Sequence, residues 1–453
     1  MEITCIYNRS GNEDCTVKNN LFFRHALLPG GIAENVALQI EDGVIRALDV
    51  GAVPTAETYG FALPGMPNLH SHSFQRAIAG LTERRGGAAD SFWTWRDLMY
   101  RFALRMSPEE VEIVATQAFI EMLEGGFCSV AEFHYLHHAP DGTPYDDIGE
   151  MAARLAAAAA ATGIELTLLP VFYAHAGFGG LPPAPAQRRF INSLESYARL
   201  LERCKTLGAT GIAPHSLRAV TPGELNALVV LAGEGPVHLH IAEQTGEVEE
   251  CLAFSGLRPV EFLRRHAPLG PSWCLIHATH ANAAERAAIA ASGAVIGLCP
   301  ITEANLGDGI FPAHDYAGPW GIGSDSNVLI DAAQELRQLE YSQRLLVRQR
   351  NVLASATIQD SAIALYQRAS AGGAQALGVL SGLRVGAPAN IVTLGGKNSD
   401  FALSQAVFAA RKPPVREVWV RGRKCVVDGR HPLAERSQNR FDAVVRKLLQ
   451  AGA

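Results

Sequence analysis

The chain has 453 residues, 48% of them hydrophobic, and a formal net charge of −6. This length and apolar content allow a large core and more than one domain. The negative charge, together with the lack of lysine- or arginine-rich runs, argues against nucleic acid as a partner.

The first twenty residues are polar and include acidic side chains, so they predict no signal peptide. Because they also show no period, we interpret them as a loose extension. The most apolar stretch, residues 151–172, contains Arg154 and Glu165 and favours a helix followed by a strand over a membrane span. The eight cysteines are scattered without a Cys-x-x-Cys pair, which is typical of free thiols in a reducing compartment. We therefore expect a cytoplasmic protein without a membrane partner.

Both ends of the chain are rich in predicted strands. Residues 21–63 predict short strands with a hairpin turn at residues 41–43. Residues 376–453 return to short β-branched runs, with turns at Gly422 and Gly429, and end in a terminal helix. We expect the segments 1–63 and 376–453 to build one small β-sandwich domain from both termini.

The middle of the chain, residues 64–375, alternates strand-like and helical stretches. Eight strand-like runs are visible: "MPNLHSH", "CSVAEFHY", "IELTLLPVF", "TGIAPHS", "VHLHIAE", "WCLIHATH", "AVIGLCP" and "WGIGSDS". Helices are predicted between most of them, at 108–124, 147–162, 188–206, 222–233, 282–292 and 332–348. This alternation predicts an α/β fold with a (β/α)8 TIM barrel. The alternative, an open doubly wound sheet, usually carries a glycine-rich phosphate turn after its first strand, which this sequence lacks.

Polar side chains follow the predicted barrel strands where a barrel carries its catalytic residues. His70 and His72 are one residue apart, so in a strand they share a face, and two imidazoles on one face can bind one metal ion. The other strand-end residues are Glu132, His134, Tyr135, His215, Arg218, His240, Glu243, His277, His280 and Asp325.

Four of these residues suit a catalytic metal. His70, His72 and His240 supply nitrogen and Asp325 supplies oxygen, a set that favours Zn²⁺ over Mg²⁺. Such an ion lowers the pKa of a bound water, which can then attack an electrophilic carbon. The fourth strand, "TGIAPHSLRAV", has no lysine to bridge a second ion, so we predict one zinc per subunit.

The remaining strand-end histidines and acids have different predicted roles. Glu243, three residues after His240, suits a general acid and base beside the metal. His277 suits a residue that holds the attacking water or stabilises developing charge. His238 lies one layer deeper and is interpreted as a hydrogen-bonded interior histidine, and His280 as structural.

Several motifs resemble the amidohydrolase superfamily and its mononuclear deaminase branch: "PGMPNLHSH", "HLHIAEQ", "IHATH" and "GIGSDS". Longer stretches between about residues 60 and 355 resemble, within that superfamily, the formimidoylglutamate deiminases. They are "NLHSHSFQRAIAGLTERR", "SFWTWRDLMY", "EFHYLHH", "GLCPITEANLGDGIFP" and "GSDSNVLIDAAQELRQLEYSQRLLVRQRNVLA".

The resemblance implies hydrolysis of N-formimino-L-glutamate to N-formyl-L-glutamate and ammonia, a step of histidine degradation. It implies zinc on His70, His72, His240 and Asp325. With the strand-end positions above, we predict Glu243, His277 and Asp325 as the catalytic residues. The resemblance also implies a substrate pocket that uses Gln75, Arg96, Tyr135, His215 and Arg218. Arginine forks suit a dicarboxylate substrate, which agrees with this assignment. Arg84 and Arg85 are weaker candidates, and we expect a homodimer.

Two rival functions stay open at this point. One is a deaminase acting on a purine or pyrimidine base, whose pocket would need aromatic stacking and amide contacts rather than arginines. The other is a non-catalytic scaffold, although such proteins typically lose metal ligands and this chain keeps the set. Phe92, Trp93 and Trp95 suit a lid, a dimer contact or simple helix packing.

Overall fold

The computed structural model describes residues 2–7, 13–55, 57–83, 92–395, 401–411 and 414–450. The strands within these ranges are, in chain order, β1 Glu2–Tyr7, β2 Glu13–Leu28, β3 Gly31–Glu41, β4 Val44–Val50, β5 Tyr59–Pro64, β6 Met66–Ser71, β7 Phe127–His134, β8 Glu165–Phe172, β9 Ala209–Thr210, β10 Ala213–Pro214, β11 Val237–Ile241, β12 Trp273–His277, β13 Val295–Leu298, β14 Trp320–Ile322, β15 Ile391–Leu394, β16 Val415–Val420 and β17 Arg423–Val426.

The α-helices of the same ranges are α1 Phe92–Ala103, α2 Pro108–Glu124, α3 Glu150–Thr162, α4 Leu194–Lys205, α5 Pro222–Ala232, α6 Thr245–Ser255, α7 Pro259–His266, α8 Ala283–Ser292, α9 Pro300–Leu306, α10 Ala332–Val347, α11 Ser361–Leu377, α12 Ala402–Phe408 and α13 Ala434–Gln450. Short 3₁₀ helices lie at Ser73–Ile78, Pro185–Gln187 and Ala313–Asp315. Within the described residues, no helix has the length and apolar character needed to cross a membrane.

Parallel strands dominate the middle of the chain. The first sheet contains β6, β7 and β8 with the short strands β9 and β10, and the second contains β11 to β14. Isolated parallel bridges connect the two sheets, Ile212 with Val237 on one side and Ser71 with Asp325 on the other. The α/β class with parallel sheets is confirmed, and the ring of pairing is consistent with the predicted TIM barrel.

The predicted fourth strand is interrupted. It consists of the two short pieces β9 and β10 rather than one run through residues 210–216. Pro214 has no N–H to donate to a neighbouring strand, which limits regular pairing there. The backbone still holds its place, because Ile212 N–H donates to the Pro236 carbonyl at 2.9 Å and His215 N–H to the Phe172 carbonyl at 3.0 Å.

The strands near both termini pair with one another in a single mixed sheet, in the order β17-β16-β15-β5-β2-β3-β4 with β1 on β2. The chain ends meet where β5 pairs antiparallel with β15, with Pro64 opposite Ile391. Phe61 and Leu63 belong to the large core shared with the barrel, whereas Ala62 belongs to a separate core on the other face. This alternation follows the two-residue period of a strand. The predicted two-sheet sandwich is not confirmed, and the domain boundaries stay a prediction.

The expectation of a loose extension over the first twenty residues was wrong. β1 and β2 form an antiparallel pair with Glu2 opposite Lys18 and Tyr7 opposite Glu13. β1 pairs only with β2 among the described strands, so backbone hydrogen bonds define it, and an edge strand needs no strong apolar alternation. Sequence periodicity therefore gave no signal for it.

Helix ends follow their capping residues. The predicted helix 108–124 is matched by α2, where the Ser107 hydroxyl accepts from Glu110 N–H and the Glu110 carboxylate accepts from Ser107 N–H. The predicted helix 188–206 begins late, at Leu194, because Ser193 supplies the cap. The segment before it is held by Arg189, whose guanidinium is fully buried and donates to the carbonyl of Met106 at 2.9 Å.

The described cysteine side chains agree with a reduced protein. Cys128, Cys204, Cys251, Cys274, Cys299 and Cys425 are free and buried. Burial raises the pKa of the Cys274 thiol well above its ordinary value, so this thiol stays protonated and behaves as a small apolar group.

Close packing of α11 on β14 depends on a glycine. A Cβ added at Gly372 would lie 1.9 Å from the Trp320 carbonyl oxygen, and backbone cannot move aside as a side chain can. We expect Gly372→Ala to destabilise the fold by about 1–3 kcal/mol, measured as a lower thermal midpoint. Gly223 on α5 faces open space, so Gly223→Ala should be neutral or slightly stabilising. Equal midpoints for the two variants would contradict this account.

Candidate metal centre and substrate pocket

The four predicted metal ligands converge at the carboxyl ends of the barrel strands. His70 is on β6, His72 follows it, His240 is on β11 and Asp325 follows β14. Their ligand atoms all lie within 4.8 Å of one another, and all four residues are buried. Asp325 Oδ1 is 3.4 Å from His70 Nε2 and 3.3 Å from His72 Nε2.

Backbone carbonyls set the ring orientations of two of these histidines. His72 Nδ1 lies 2.9 Å from the Phe133 carbonyl oxygen and His240 Nδ1 lies 2.9 Å from that of His215. Each Nδ1 therefore carries the proton and leaves Nε2 as a lone pair facing the cluster. His240 Nε2 is 3.0 Å from His70 Nε2, a distance that suits two ligands of a shared cation. This donor set fits a metal ion.

Burial keeps the imidazoles in the form that binds metal. It lowers the pKa of His72, and it lowers the pKa of His70 and His240 well below the ordinary value. Neighbouring histidines lower the pKa of His70 and His240 further. Neutral imidazole is the ligand form, so these residues need lose no proton when a cation binds.

A second group, His277, Cys299 and Asp325, also brings its ligand atoms within 4.8 Å of one another. It shares Asp325 with the first group, and burial raises the pKa of the Cys299 thiol well above its ordinary value. A protonated thiol is a poor ligand, and His277 Nδ1 is already engaged by Glu303 at 3.2 Å. The three-histidine group is therefore the better metal centre.

A buried hydrogen-bond network fixes the turn that carries Asp325. The Asn68 amide donates to Ser324 Oγ at 2.7 Å, and Ser324 Oγ donates to Asn327 Oδ1 at 2.6 Å. The Asn327 amide in turn donates to Ser71 Oγ at 3.1 Å. These bonds connect β6 with the turn after β14, so the aspartate and the first two histidines share one rigid support.

Left-handed backbone is concentrated at these strand ends. Ala242, His277, Ala278, Asp325 and Asn327 have φ angles of 50°, 69°, 49°, 44° and 57°. Such conformations cost non-glycine residues of the order of 1–3 kcal/mol each when they lie in sparsely populated regions. They persist because the surrounding packing and hydrogen bonds determine them, and they aim the site residues inward.

Glu243 and His277 lie beside the metal ligand Asp325. Glu243 Oε1 is 3.9 Å and Asp325 Oδ2 is 3.8 Å from His277 Nε2. Burial raises the pKa of Glu243 to about 7, although His277 opposes the shift. Burial acts to lower the pKa of His277, but Glu243 and Glu303 outweigh it and raise the pKa to about 10. Glu243 therefore exchanges a proton readily near neutral pH.

The predicted substrate residues line one pocket above the metal centre. Gln75, Arg96, Tyr135, His215 and Arg218 all contribute to it, beside His72, His240, Glu243, His277 and Asp325. Arg96 comes from α1 and Arg218 from the loop after β10. His70, the remaining member of the ligand cluster, is fully buried and does not line the pocket. The pocket thus places two guanidinium groups near a site that suits a metal.

Gln75 presents an unused acceptor at this pocket. Its amide nitrogen donates to Tyr135 Oη at 2.7 Å. Its Oε1 is buried and has no hydrogen-bond partner among the described residues. A buried acceptor without a partner is costly, so a ligand with an N–H group would gain from binding here.

The other predicted residues lie outside the pocket lining. His238 is fully buried and its Nε2 bonds the Ala376 carbonyl at 2.8 Å, as expected of an interior histidine. His280 Nε2 bonds the Asp308 carbonyl at 2.8 Å, in agreement with a structural role. His134 packs against His137, with ring centroids 4.9 Å apart. Arg84 and Arg85 lie outside the described residues, as do the side chains of Phe92 and Trp93.

Several residues of the pocket wall were not predicted from the sequence, namely Met99, Tyr100, Tyr173, Phe190 and Leu306. Tyr173 directly follows β8, so its strand-end position was a usable signal. The others come from α1, α9 and a loop, whose approach to the site depends on tertiary packing. Trp95 also lines the pocket and packs against the large core, so the lid, dimer-contact and helix-packing interpretations all stay predictions.

Comparisons with known proteins agree with this geometry. The model of the amidohydrolase family matches residues 61–425. A formimidoylglutamate deiminase of Pseudomonas aeruginosa is 50% identical over 450 residues, which covers 95% of this chain and 99% of that enzyme. The chain belongs to the amidohydrolase family. The predicted resemblance is confirmed, and this amidohydrolase has a formimidoylglutamate deiminase as a close homologue.

More distant similarities extend the comparison. This amidohydrolase is 30% identical over 332 residues to an 8-oxoguanine deaminase of Pseudomonas aeruginosa, covering 68% of this chain and 71% of that enzyme. A crystal structure of an amidohydrolase from Brucella melitensis matches it with a TM-score of 0.92 at 50% identity, covering 95% of this chain and all of the other. An adenosine deaminase from Xanthomonas campestris, solved with bound zinc, shares the fold with a TM-score of 0.74 at 22% identity over 94% of this chain and 98% of the other.

Glu132 supports the segment that carries His72 and Gln75. Its buried Oε1 accepts from Ser73 N–H at 2.6 Å, and burial raises its pKa from 4.5 to about 7. Between these values the folded protein keeps a proton that the unfolded chain has lost, so stability falls as the pH rises from about 4.5 to 7. Above about pH 7 the penalty is complete, and below about pH 4.5 it is absent.

We expect metal-free Glu132→Gln to be more stable than the metal-free wild type at pH 8, by up to about 3 kcal/mol. At pH 4.5 the two proteins should be nearly equal, because both then carry a neutral side chain at this position. Urea unfolding at several pH values measures the difference. A difference that does not change with pH would exclude a raised Glu132 pKa as its source.

Proposed function

We propose that this chain hydrolyses N-formimino-L-glutamate to N-formyl-L-glutamate and ammonia with one zinc ion per subunit. The observation that carries the proposal is that Arg96 and Arg218 line the same pocket as His72, His240 and Asp325, which with the buried His70 form the four-ligand cluster. The Pseudomonas aeruginosa relative, named for this activity, supports it through 50% identity over almost its whole length. The reaction then belongs to histidine degradation.

Charge complementarity supports a dicarboxylate substrate. A guanidinium fork binds a carboxylate through two parallel hydrogen bonds, and the pocket offers two such groups. His215 and Tyr135 line the same pocket, with ring centroids 5.7 Å apart. A formiminoglutamate molecule bound by both arginines directs its formimino end towards the metal and Glu243.

Zinc is supported by the donor set of three imidazoles and one carboxylate. The adenosine deaminase from Xanthomonas campestris, a protein of the same fold, was solved with bound zinc. When bound, the ion would lower the pKa of a coordinated water and polarise the substrate carbon. His70, His72, His240 and Asp325 would hold it.

Glu243 carries the protons in this proposal. The reaction adds water to the formimino carbon, forming a C–O bond, and then breaks the bond from that carbon to the terminal nitrogen, which leaves as ammonia. A carboxyl with a pKa of about 7 can take a proton from the attacking water and later give it to the departing nitrogen. Asp325 lies close enough to share the first transfer, since both acids face His277 Nε2.

His277 and Gln75 complete the proposed arrangement. A protonated His277 presents an Nε2–H towards the reacting centre and stabilises negative charge that develops there. Gln75 Oε1 accepts an N–H of the formimino group, which supplies the partner that this buried oxygen lacks within the described protein. The two residues therefore fix the orientation of the group that reacts.

A base deaminase is the second candidate function. The pocket contains aromatic side chains suited to stacking on a ring, among them Tyr100, Tyr173 and Phe190. The 8-oxoguanine deaminase relative acts on such a base, as its name states. Two arginines have no evident partner on an uncharged base, so the dicarboxylate stays preferred. The expected homodimer and cytoplasmic location stay predictions.

The test is ammonia release by purified, zinc-loaded protein from N-formimino-L-glutamate, with guanine, 8-oxoguanine and cytosine measured in parallel. We expect fast release from the formimino substrate alone. Release from a base alone would replace the proposal with the second candidate. Bound zinc without turnover of any of the four compounds would leave only the family assignment.

Glu243→Gln should lose turnover by about 10²–10⁴-fold while it retains zinc, because the amide cannot carry the proton. Elemental analysis measures the metal and ammonia release measures the rate. Glu249→Gln, an exposed position on the neighbouring helix α6, is the matched control and should keep full activity. Full activity of zinc-loaded Glu243→Gln would remove Glu243 from its proposed role.

A further inference from the structure

Glu303 lies behind His277, on the side away from the substrate pocket. It belongs to α9, which starts directly after β13, and it is not part of the pocket lining. Its Oε1 is 3.2 Å from His277 Nδ1, and both side chains are buried. The two nitrogens of the His277 ring therefore face opposite surroundings, Nδ1 towards Glu303 and Nε2 towards the site.

The position of Glu303 is itself fixed. The same Oε1 accepts from Cys299 N–H at 2.8 Å, and Glu303 N–H donates to the Cys299 carbonyl at 2.8 Å. At the other end of the helix, Asp308 N–H donates to the Glu303 carbonyl at 3.0 Å. A carboxylate held at both its side chain and its backbone is a rigid acceptor.

His277 needs such an acceptor. Its Nε2 lies 3.9 Å from Glu243 and 3.8 Å from Asp325, so neither carboxylate holds the ring by a hydrogen bond. Its backbone has a φ angle of 69° at the last residue of β12, where pairing with Ile241 fixes the main chain but not the rotation of the ring. Rotation of the imidazole by 180° about its Cβ–Cγ bond would exchange the nitrogen that faces the substrate for a carbon.

We infer that Glu303 is a positioning residue, which accepts the Nδ1–H of His277 and thereby keeps Nε2 directed at the reacting carbon. Glu303 acts through His277 and touches neither the substrate pocket nor the metal ligands of the three-histidine cluster. The inference rests on the proposed function for its kinetic part only. The hydrogen bond itself is a property of the protein without substrate.

Glu335 provides a matched control. It is a second fully buried glutamate beside α9, and its Oε2 accepts from Ile301 N–H at 2.9 Å. It makes no hydrogen bond to His277 among the described contacts. Glu303→Gln and Glu335→Gln therefore make the same carboxyl-to-amide change at two buried positions, but only the first alters the partner of His277.

The first measurement is the proton NMR spectrum of histidine-labelled, zinc-loaded protein without substrate. We expect a slowly exchanging downfield Nδ1–H resonance that is absent in His277→Asn, shifted or lost in Glu303→Gln and Glu303→Leu, and kept in Glu335→Gln. A resonance that keeps its position in both Glu303 variants would overturn the inference. This result does not depend on which substrate the enzyme uses.

The second measurement is a double-mutant cycle in kcat, using the substrate that the wild type turns over fastest. We expect Glu303→Gln to lower kcat by about 10–100-fold, with KM within about threefold and zinc content unchanged. In the His277→Asn background, Glu303→Gln should change kcat by less than about threefold. Equal losses in both backgrounds would show that Glu303 acts through general structure. An inactive wild type with an intact resonance would refute only the proposed substrate.

Discussion

The pairing between Asp325 and the end of β6 is the constraint on which the site depends. Asp325 N–H donates to the His70 carbonyl and His72 N–H donates to the Asp325 carbonyl, each at 2.9 Å. These two bonds connect the last barrel strand with the first and, at the same residues, set the distances between three metal ligands. The same two hydrogen bonds therefore close the barrel and hold the metal ligands together. A change that breaks the barrel at this point would also move the ligands apart.

The buried histidines of the metal site and the neighbouring His277 have opposite protonation states. Burial lowers the pKa of His70, His72 and His240, and at His72 the attraction of Asp325 opposes this shift without overcoming it, so all three rings stay neutral. His277 has the same burial but stands among three carboxylates, which favour its protonated form. Charge interactions are strong where water is excluded, so the number of carboxylates around each ring decides its protonation state.

The sequence predicted what depends on short, local patterns. The spacing of His70 and His72 indicated a shared face, and the strand-end positions of His240 and Asp325 indicated convergence, because parallel strands of a barrel end on one side. Glu303 was not found, since it lies on a helix and reaches His277 through tertiary packing. The strand β1 was missed because an edge strand is defined by backbone pairing rather than by side-chain pattern.

The left-handed residues at the strand ends have a consequence for how this enzyme can change over time. Strain held at His277, Ala278 and Asp325 is free energy that the rest of the barrel must supply. A mutation that weakens the core lowers the free energy available to hold these strained conformations, even when it contacts no reacting group. The strained site then relaxes before the rest of the fold. A lineage that explores new substrates by altering the pocket therefore needs surplus stability in the outer helices, far from the chemistry itself.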